Sequence, residues 1–276
     1  MQLCETNYHS VDANRAWMSA SQLKQFLDCP ARTVAEIRGE YKREETSALL
    51  VGSYVDAYFS GLLPRFAVEH PEIYTRTGTL RAEYAQADEI ISYLDSDDLL
   101  RRMLGGETQR IVTGEISGVP FRGKLDSLLS SDQCEVIVQD YPEMADTLLM
   151  APGAIVDLKV MRDLSAVWKP GAGRVSFITG WRYDTQLAVY QELVGKKLPC
   201  YIVAVTKEKQ PDKELIYLPQ YILDSALDAV RDLIPQFARM KSGEIEAPRC
   251  GSCAWCRQTK RITGCVDADE LEGGGL

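Results

Sequence analysis

The sequence predicts an α/β fold, a mixed β-sheet flanked by helices, with a cysteine cluster near the C-terminal end. Three observations predict it. Apolar side chains recur at helical spacing over residues 19–60, a β-rich stretch spans 110–129, and Cys250, Cys253, Cys256 and Cys265 crowd the last part of the chain.

Taken in order, SASQLKQFL (19–27) reads as a helix start. Ser19 or Ser21 can cap it, and Leu23, Phe26 and Leu27 form its apolar stripe. Cys29-Pro30 follows, then a second helix near 31–38, and SALLVGSYVDAYFS (47–60) reads as a buried helix holding one acid, Asp56. Residues 80–104 keep helical spacing. RIVTGEIS (110–117) and VPFRGKLDSLL (119–129) predict a hairpin around Ser117-Gly118, and CEVIVQ (134–139) is expected to continue the sheet. An irregular insertion is expected over 140–152 and a strand over 154–160. A helix is expected over 176–195, strands over 200–206 and 214–218, and one amphipathic helix over 223–241. The tail LEGGGL is expected to be disordered.

The 276 residues suit one large domain, or one domain with appendages. Hydrophobic residues make up 45% and charged residues 26%, as in soluble globular proteins. The start, MQLCETNYHS, lacks the apolar core of a secretory signal, and no run approaches the ~18 apolar residues of a membrane span, so a cytoplasmic protein without membrane contact is expected. A net charge of −9 argues against a generally basic nucleic-acid coat, but not against a DNA enzyme whose cations line one channel.

Within GAIVDLKVM (153–161), Asp157 and Lys159 project from the same face of an otherwise apolar strand. Burying two charges is tolerable when they pair or hold a metal. Asp126, in GKLDSLL, can join them if its strand is a neighbour. Two aspartates and a backbone carbonyl, that of Leu158, would suit a hard cation such as Mg2+ or Mn2+. Lys159 would then orient or deprotonate a water, or stabilise charge on a phosphate.

This constellation resembles the PD-(D/E)xK nuclease superfamily, whose core is restriction-endonuclease-like. Gln186 and Tyr190 in WRYDTQLAVY look like the Q-x-x-x-Y motif of its RecB-like branch, where the glutamine helps position DNA and the metal site. In VGSYVDAYF, Gly52 precedes Asp56 by four residues, where that branch usually carries a histidine. Glu115 is a further acid expected to support the metal site.

A narrower resemblance, to phage and prophage proteins of the RecE type with the exodeoxyribonuclease VIII PDDEXK-like domain, covers nearly the whole chain. It is carried by NYHSVDANRAWMSASQLKQFLDCPA, VGSYVDAYF, TGEISGVPFRGKLDSL, IVDLKVMRD and RCGSCAWCRQTK. The chain departs from that type at 130–152, a longer link that is either a lid or a surface insertion. The resemblance implies a Mg2+-dependent exonuclease resecting linear double-stranded DNA 5′ to 3′ for recombination. It also implies a homo-oligomeric ring around DNA ends, and a single-strand annealing (RecT-like) partner. Candidate DNA contacts are Arg122, Lys124, Arg162, Lys169, Arg174 and Arg182. The alternatives are an iron–sulfur nuclease of repair or CRISPR adaptation, which would not need DNA ends, and a catalytically inactive DNA-binding relative.

The cysteine spacing, C-x2-C-x2-C-x8-C from Cys250, indicates metal ligation rather than disulfides. Four late cysteines suit Zn2+. SASQLKQFLDCP also resembles the N-terminal motif of nucleases with an iron–sulfur staple, which implies a 4Fe-4S cluster on Cys29 and three of the late four, with Cys250 or Cys265 spare. The chain is thus expected to divide into a nuclease domain, 1–245, and a metal-binding segment packed on it, 246–276.

Overall fold

The computed structural model describes residues 2–44, 46–169, 171–265, 267 and 268; the LEGGGL tail lies outside them. Four helices come first: α1 (Val11–Ala16), α2 (Ala20–Asp28), α3 (Pro30–Arg38) and α4 (Ser47–Phe59), with a two-residue strand β1 (Met18–Ser19) before α2. Ser19 caps α2, its hydroxyl accepting from Gln22 N–H. Pro30 starts α3 at a position where its missing N–H costs nothing. Three helices follow, α5 (Leu63–Glu69), α6 (Gln86–Asp95) and α7 (Asp98–Met103). The last two divide the stretch expected to run over 80–104, because Asp97 caps a new helix.

The long hairpin is β2 (Glu107–Ile116) and β3 (Val119–Ser130). It is not extended by 134–139. That segment lies in α8 (Ser131–Asp140), closed by a capping box in which Ser130 and Gln133 satisfy each other's backbone. Short α9 (Ala145–Leu148) leads into β4 (Gly153–Met161). A small two-stranded ribbon, β5 (Val167–Lys169) and β6 (Gly173–Val175), precedes α10 (Phe177–Gly180) and α11 (Tyr183–Val194). The helix expected over 176–195 is broken by Arg182, in the left-handed region at φ 56°. Then come β7 (Cys200–Thr206) and β8 (Lys213–Leu218), α12 (Gln220–Arg231), α13 (Ile234–Ser242) and α14 (Ala254–Gln258). The single helix expected over 223–241 is two, with Pro235 in the first turn of the second.

The main sheet runs β1-β3-β4-β7-β8, with β2 on the other edge of β3. β4 and β7 are parallel, and the other long pairs antiparallel. Alternation along β7 divides the core: Cys200, Ile202 and Ala204 face α2, α11, α12 and α13, while Tyr201, Val203 and Val205 face α4, α6 and α8. Residues 130–152 pack into the second layer through Cys134, Ile137 and Leu148, on the face opposite α11. They are a structural insertion, not a lid. No helix among the described residues is long and apolar enough to cross a membrane.

Candidate active site

The strands part where the acids sit. β3 and β4 pair from Ser130↔Gly153 to Ser127↔Val156 and then diverge. The next pair in register would be Asp126 opposite Asp157, two like charges side by side, which an antiparallel ladder disfavours. The outer ladder breaks there too. β2 resumes from Thr108↔Ser127 to Arg110↔Leu125, and the intervening Gln109 has φ 55°. Asp126 instead turns one oxygen onto Leu158 N–H, at 2.9 Å. The fork so formed holds Lys159, whose ammonium pairs with Asp157, lies 4.0 Å from Asp126, and donates to Leu158 O at 3.1 Å.

Helix α11 closes one side. Gln186 Nε2 donates to Asp157 Oδ1 at 2.8 Å and to Tyr190 Oη at 3.3 Å. Tyr190 packs flat against β3 at Gly123, where a Cβ would come within 3.0 Å of the ring, so the glycine in GKLD makes room for it. Gln186 Oε1 accepts from Lys24 Nζ of α2, at 2.8 Å. A lysine can only donate, so this contact fixes which end of the amide faces Asp157. Asp56 enters from α4 and shares a cleft with Lys124, Gln109 and His9.

The charges are strained in one direction. Burial, then the nearby Asp157, pushes Asp126 well above the usual carboxylate range. Burial also raises Asp56, against the pull of Lys159 and Lys124. Burial would discharge Lys159, but Asp157 and Asp126 outweigh it and hold the ammonium charged. Burial and then the Lys159 charge bring Lys24 down to about 8. Asp157 is 1% exposed; Gln186 donates to its Oδ1, and its Oδ2 faces the Lys159 ammonium. Surplus buried acid and an all-oxygen donor set fit a hard divalent cation held by Asp126, Asp157 and the Leu158 carbonyl.

Lys24 carries no sequence signal, since a lysine on a capped amphipathic helix is an ordinary surface residue. Its partner Gln186 is the clue that was available. Lys24→Met is expected to lower turnover about 10- to 100-fold, the usual effect of losing an outer support of a metal site. Lys24→Arg should restore part of it, and a steady-state Mg2+ titration of both variants measures this.

Several expected residues lie elsewhere. Arg122 is 2% exposed, donates to Tyr8 O and Asn14 Oδ1, and stacks its guanidinium 4.5 Å from the Tyr8 ring centroid. It ties the N-terminal segment to β3 and is not a DNA contact. Glu115 is exposed opposite Pro120, roughly 20 Å along the strand from Asp126, so it does not support the metal site. Lys124 stays near the fork, 3.7 Å from Glu5. Arg182 pairs with Asp28 at 3.5 Å, Arg162 is exposed and bonded to Asp163, and Lys169 and Arg174 belong to the β5–β6 ribbon.

The second cluster joins the two ends of the chain. The Sγ atoms of Cys29, Cys250, Cys253 and Cys256 all lie within 4.8 Å of one another, and no other such group of Asp, Glu, His or Cys occurs among the described residues. Cys29 is 3.6 Å from Cys256 and 3.8 Å from Cys253, and Cys250 is 3.9 Å from Cys256. A tetrahedral ion with ~2.3 Å metal–sulfur bonds needs edges of roughly 3.8 Å. Cys265 is exposed and outside the set, so it is the spare cysteine and Cys250 is not. Burial opposes ionisation of Cys250, yet hydrogen bonds from Cys253 N–H and Ser252 bring it down to about 6. Burial pushes Cys29 up. A cation bound among four thiols so placed would displace their remaining protons to solvent.

A forked mixed sheet presenting Asp126, Asp157 and Lys159 to a glutamine-bearing helix is the PD-(D/E)xK arrangement. The chain belongs to the family described as a PDDEXK-like domain of unknown function, DUF3799, which matches residues 19–138 and 141–259. It is also similar to a crystal structure from Eubacterium rectale provisionally described as an exonuclease. The two share 36% identity and a TM-score of 0.84, over 99% of each chain. The comparison with curated proteins found no match.

Proposed function

We propose that the protein is a Mg2+-dependent exodeoxyribonuclease that resects linear double-stranded DNA, 5′ to 3′, in phage-type recombination. The fork carries this reading: Asp126, Asp157 and Lys159 meet there, and Gln186 locks Asp157 from behind. The likeness to the Eubacterium rectale protein supports the exonuclease class. A divalent cation held by Asp126, Asp157 and the Leu158 carbonyl would polarise a phosphate and acidify a bound water. Leu158 N–H holds Asp126 and Gln186 holds Asp157, so that both carboxylates border the fork. Lys159, held charged, acts as a fixed cation toward the phosphate oxygens as negative charge develops, rather than as a base. Lys124, beside Asp56, adds a cation to the cleft next to the fork.

The same reading carries a homo-oligomeric ring, which would reconcile a net charge of −9 with DNA binding, and a single-strand annealing partner. At the cysteines, the sulfur spacing supports one tetrahedral Zn2+ or iron ion as the thiols stand. A 4Fe-4S cluster, with irons and sulfides between the thiolates, requires them to spread.

The test uses end-labelled linear duplex and closed circular duplex, each with Mg2+ or with EDTA. Mg2+-dependent loss of the linear DNA alone is expected. Cutting of the circle would replace the exonuclease by an endonuclease. No cleavage with Mg2+ or Mn2+ would remove the hydrolytic reading altogether.

A further inference from the structure

The chain leaves the active-site strand through the β5–β6 ribbon, and this ribbon carries a tryptophan into solvent. Trp168 pairs across it with Arg174, and Val167 with Val175. Alternation puts Trp168 and Arg174 on one face, Val167 and Lys169 on the other. The second face is clamped down: Val167 fits so tightly on Gly180 that a Cβ there would lie 2.9 Å from it. The Lys169 ammonium stands 5.2 Å from the ring centroid of Trp181. The first face is open, with Trp168 70% exposed, and Trp181 beside the ribbon is 52% exposed.

Two such exposed indoles, each beside a cation, are more than scattered surface apolarity. Their surroundings select the occupant. Residues 164–183 contain no aspartate or glutamate, in a chain with 40 acids, yet include Lys169 and Arg174, and Arg182, which Asp28 already pairs. Position selects it too. After Trp181, the left-handed Arg182 turns the chain so that Tyr183 lies 5.4 Å from the Lys159 ammonium and 5.2 Å from that of Lys24. Aromatic faces interleaved with cations hold single strands, because every base offers a face to stack and every link a phosphate to pair.

We propose that Trp168 with Arg174 on the open face of the ribbon, and Trp181 with Lys169 on its other face, form a two-sided stacking platform for unpaired nucleotides beside the hydrolytic fork. This rests on the nuclease reading for its purpose and not for its detection. The experiment measures the fluorescence anisotropy of a labelled oligothymidylate of about 12 nucleotides, with full-length Asp157→Ala protein to prevent cleavage. Trp168→Ala or Trp181→Ala added to it should weaken binding about 5- to 100-fold. Trp168→Phe should keep most of the affinity, and blunt duplex binding should fall far less.

Circular dichroism melting checks that each variant is folded. Trp168 is the safer site, since its ring lies mostly in solvent. A folded Trp168→Ala protein that binds oligothymidylate within about twofold of its parent overturns the platform. So does an equal loss of duplex binding. If the wild-type protein cleaves nothing but shows the tryptophan-dependent binding, the nuclease reading fails and the platform stands. Active protein with tryptophan-independent binding gives the converse.

Discussion

Asp126→Asn is expected to lower cleavage of linear duplex by on the order of 10³-fold or more, the scale of removing one fixed electrostatic partner of a transition state, while the metal-free protein melts no lower than its parent. Both outcomes come from the fork. On the proposed reading Asp126 would offer a divalent cation one of its two carboxylates, and an amide is a far weaker ligand for a hard ion. In the absence of metal that same carboxylate is a liability, since burial and Asp157 raise it well above its ordinary value. A group whose folded value is raised stabilises the fold at low pH and loses that contribution as pH rises through the folded value. Asparagine does not titrate, and its carbonyl can still accept from Leu158 N–H. The variant's advantage should therefore grow with pH, to roughly 0.5–2 kcal/mol in the neutral to alkaline range. Melting curves in EDTA at two pH values, beside initial rates in Mg2+, check both halves. Full activity in Asp126→Asn would remove Asp126 from the chemistry.

Cys29→Ser is expected to cost the protein its cysteine-bound metal and about 3 kcal/mol or more of stability, a drop of roughly 6–12 °C in melting temperature. Cys29 ends α2 and begins α3, and it is the one ligand from the N-terminal half of the chain. Its loss would loosen the late segment, which also meets the N-terminal part of the chain through the Ala31 N–H to Pro248 O bond and the Tyr41–Trp255 ring contact. Metal analysis of purified wild-type and variant protein measures the first effect. The wild-type spectrum decides between a colourless zinc site and an absorbing iron site. Undiminished metal in Cys29→Ser would mean that the late cysteines hold it by themselves, with Cys265 completing the set. Cys265→Ser is the matched control and should change neither metal content nor melting.

The parts of the fold and site that were legible in the chain are those set by local alternation and spacing. Asp157 and Lys159 share a strand face, and Gln186 and Tyr190 share a helix face, because the periods of strand and helix require it. Asp126 was legible as an acid in a hairpin strand, but the splaying of β3 from β4 was not, since it depends on which residues fall opposite. The misreadings are also physical. CEVIVQ has strand-like composition, and the Ser130–Gln133 capping box overrides it. The 223–241 stripe continues across a break, because Pro235 can open a helix without disturbing the apolar pattern. Arg122 and Lys124 look alike in sequence, yet Arg122 turns under the N-terminal segment while Lys124 remains in the cleft. Lys24 gains its role only from a contact with Gln186, far away in the chain, whereas the resemblance in SASQLKQFLDCP had already pointed to Cys29.

The sulfur clasp has a consequence for how the protein is made. Lys24 and Cys29 stand on the same short helix and its cap, so the thiol that meets Cys253 and Cys256 is one turn away from the lysine that sets Gln186. A ribosome must pass Cys256 before that helix has its final anchor. A nascent or prematurely terminated chain carries every acid of the fork and still lacks the clasp. Metal bound at the clasp would complete that anchor only after Cys256 has been added to the chain.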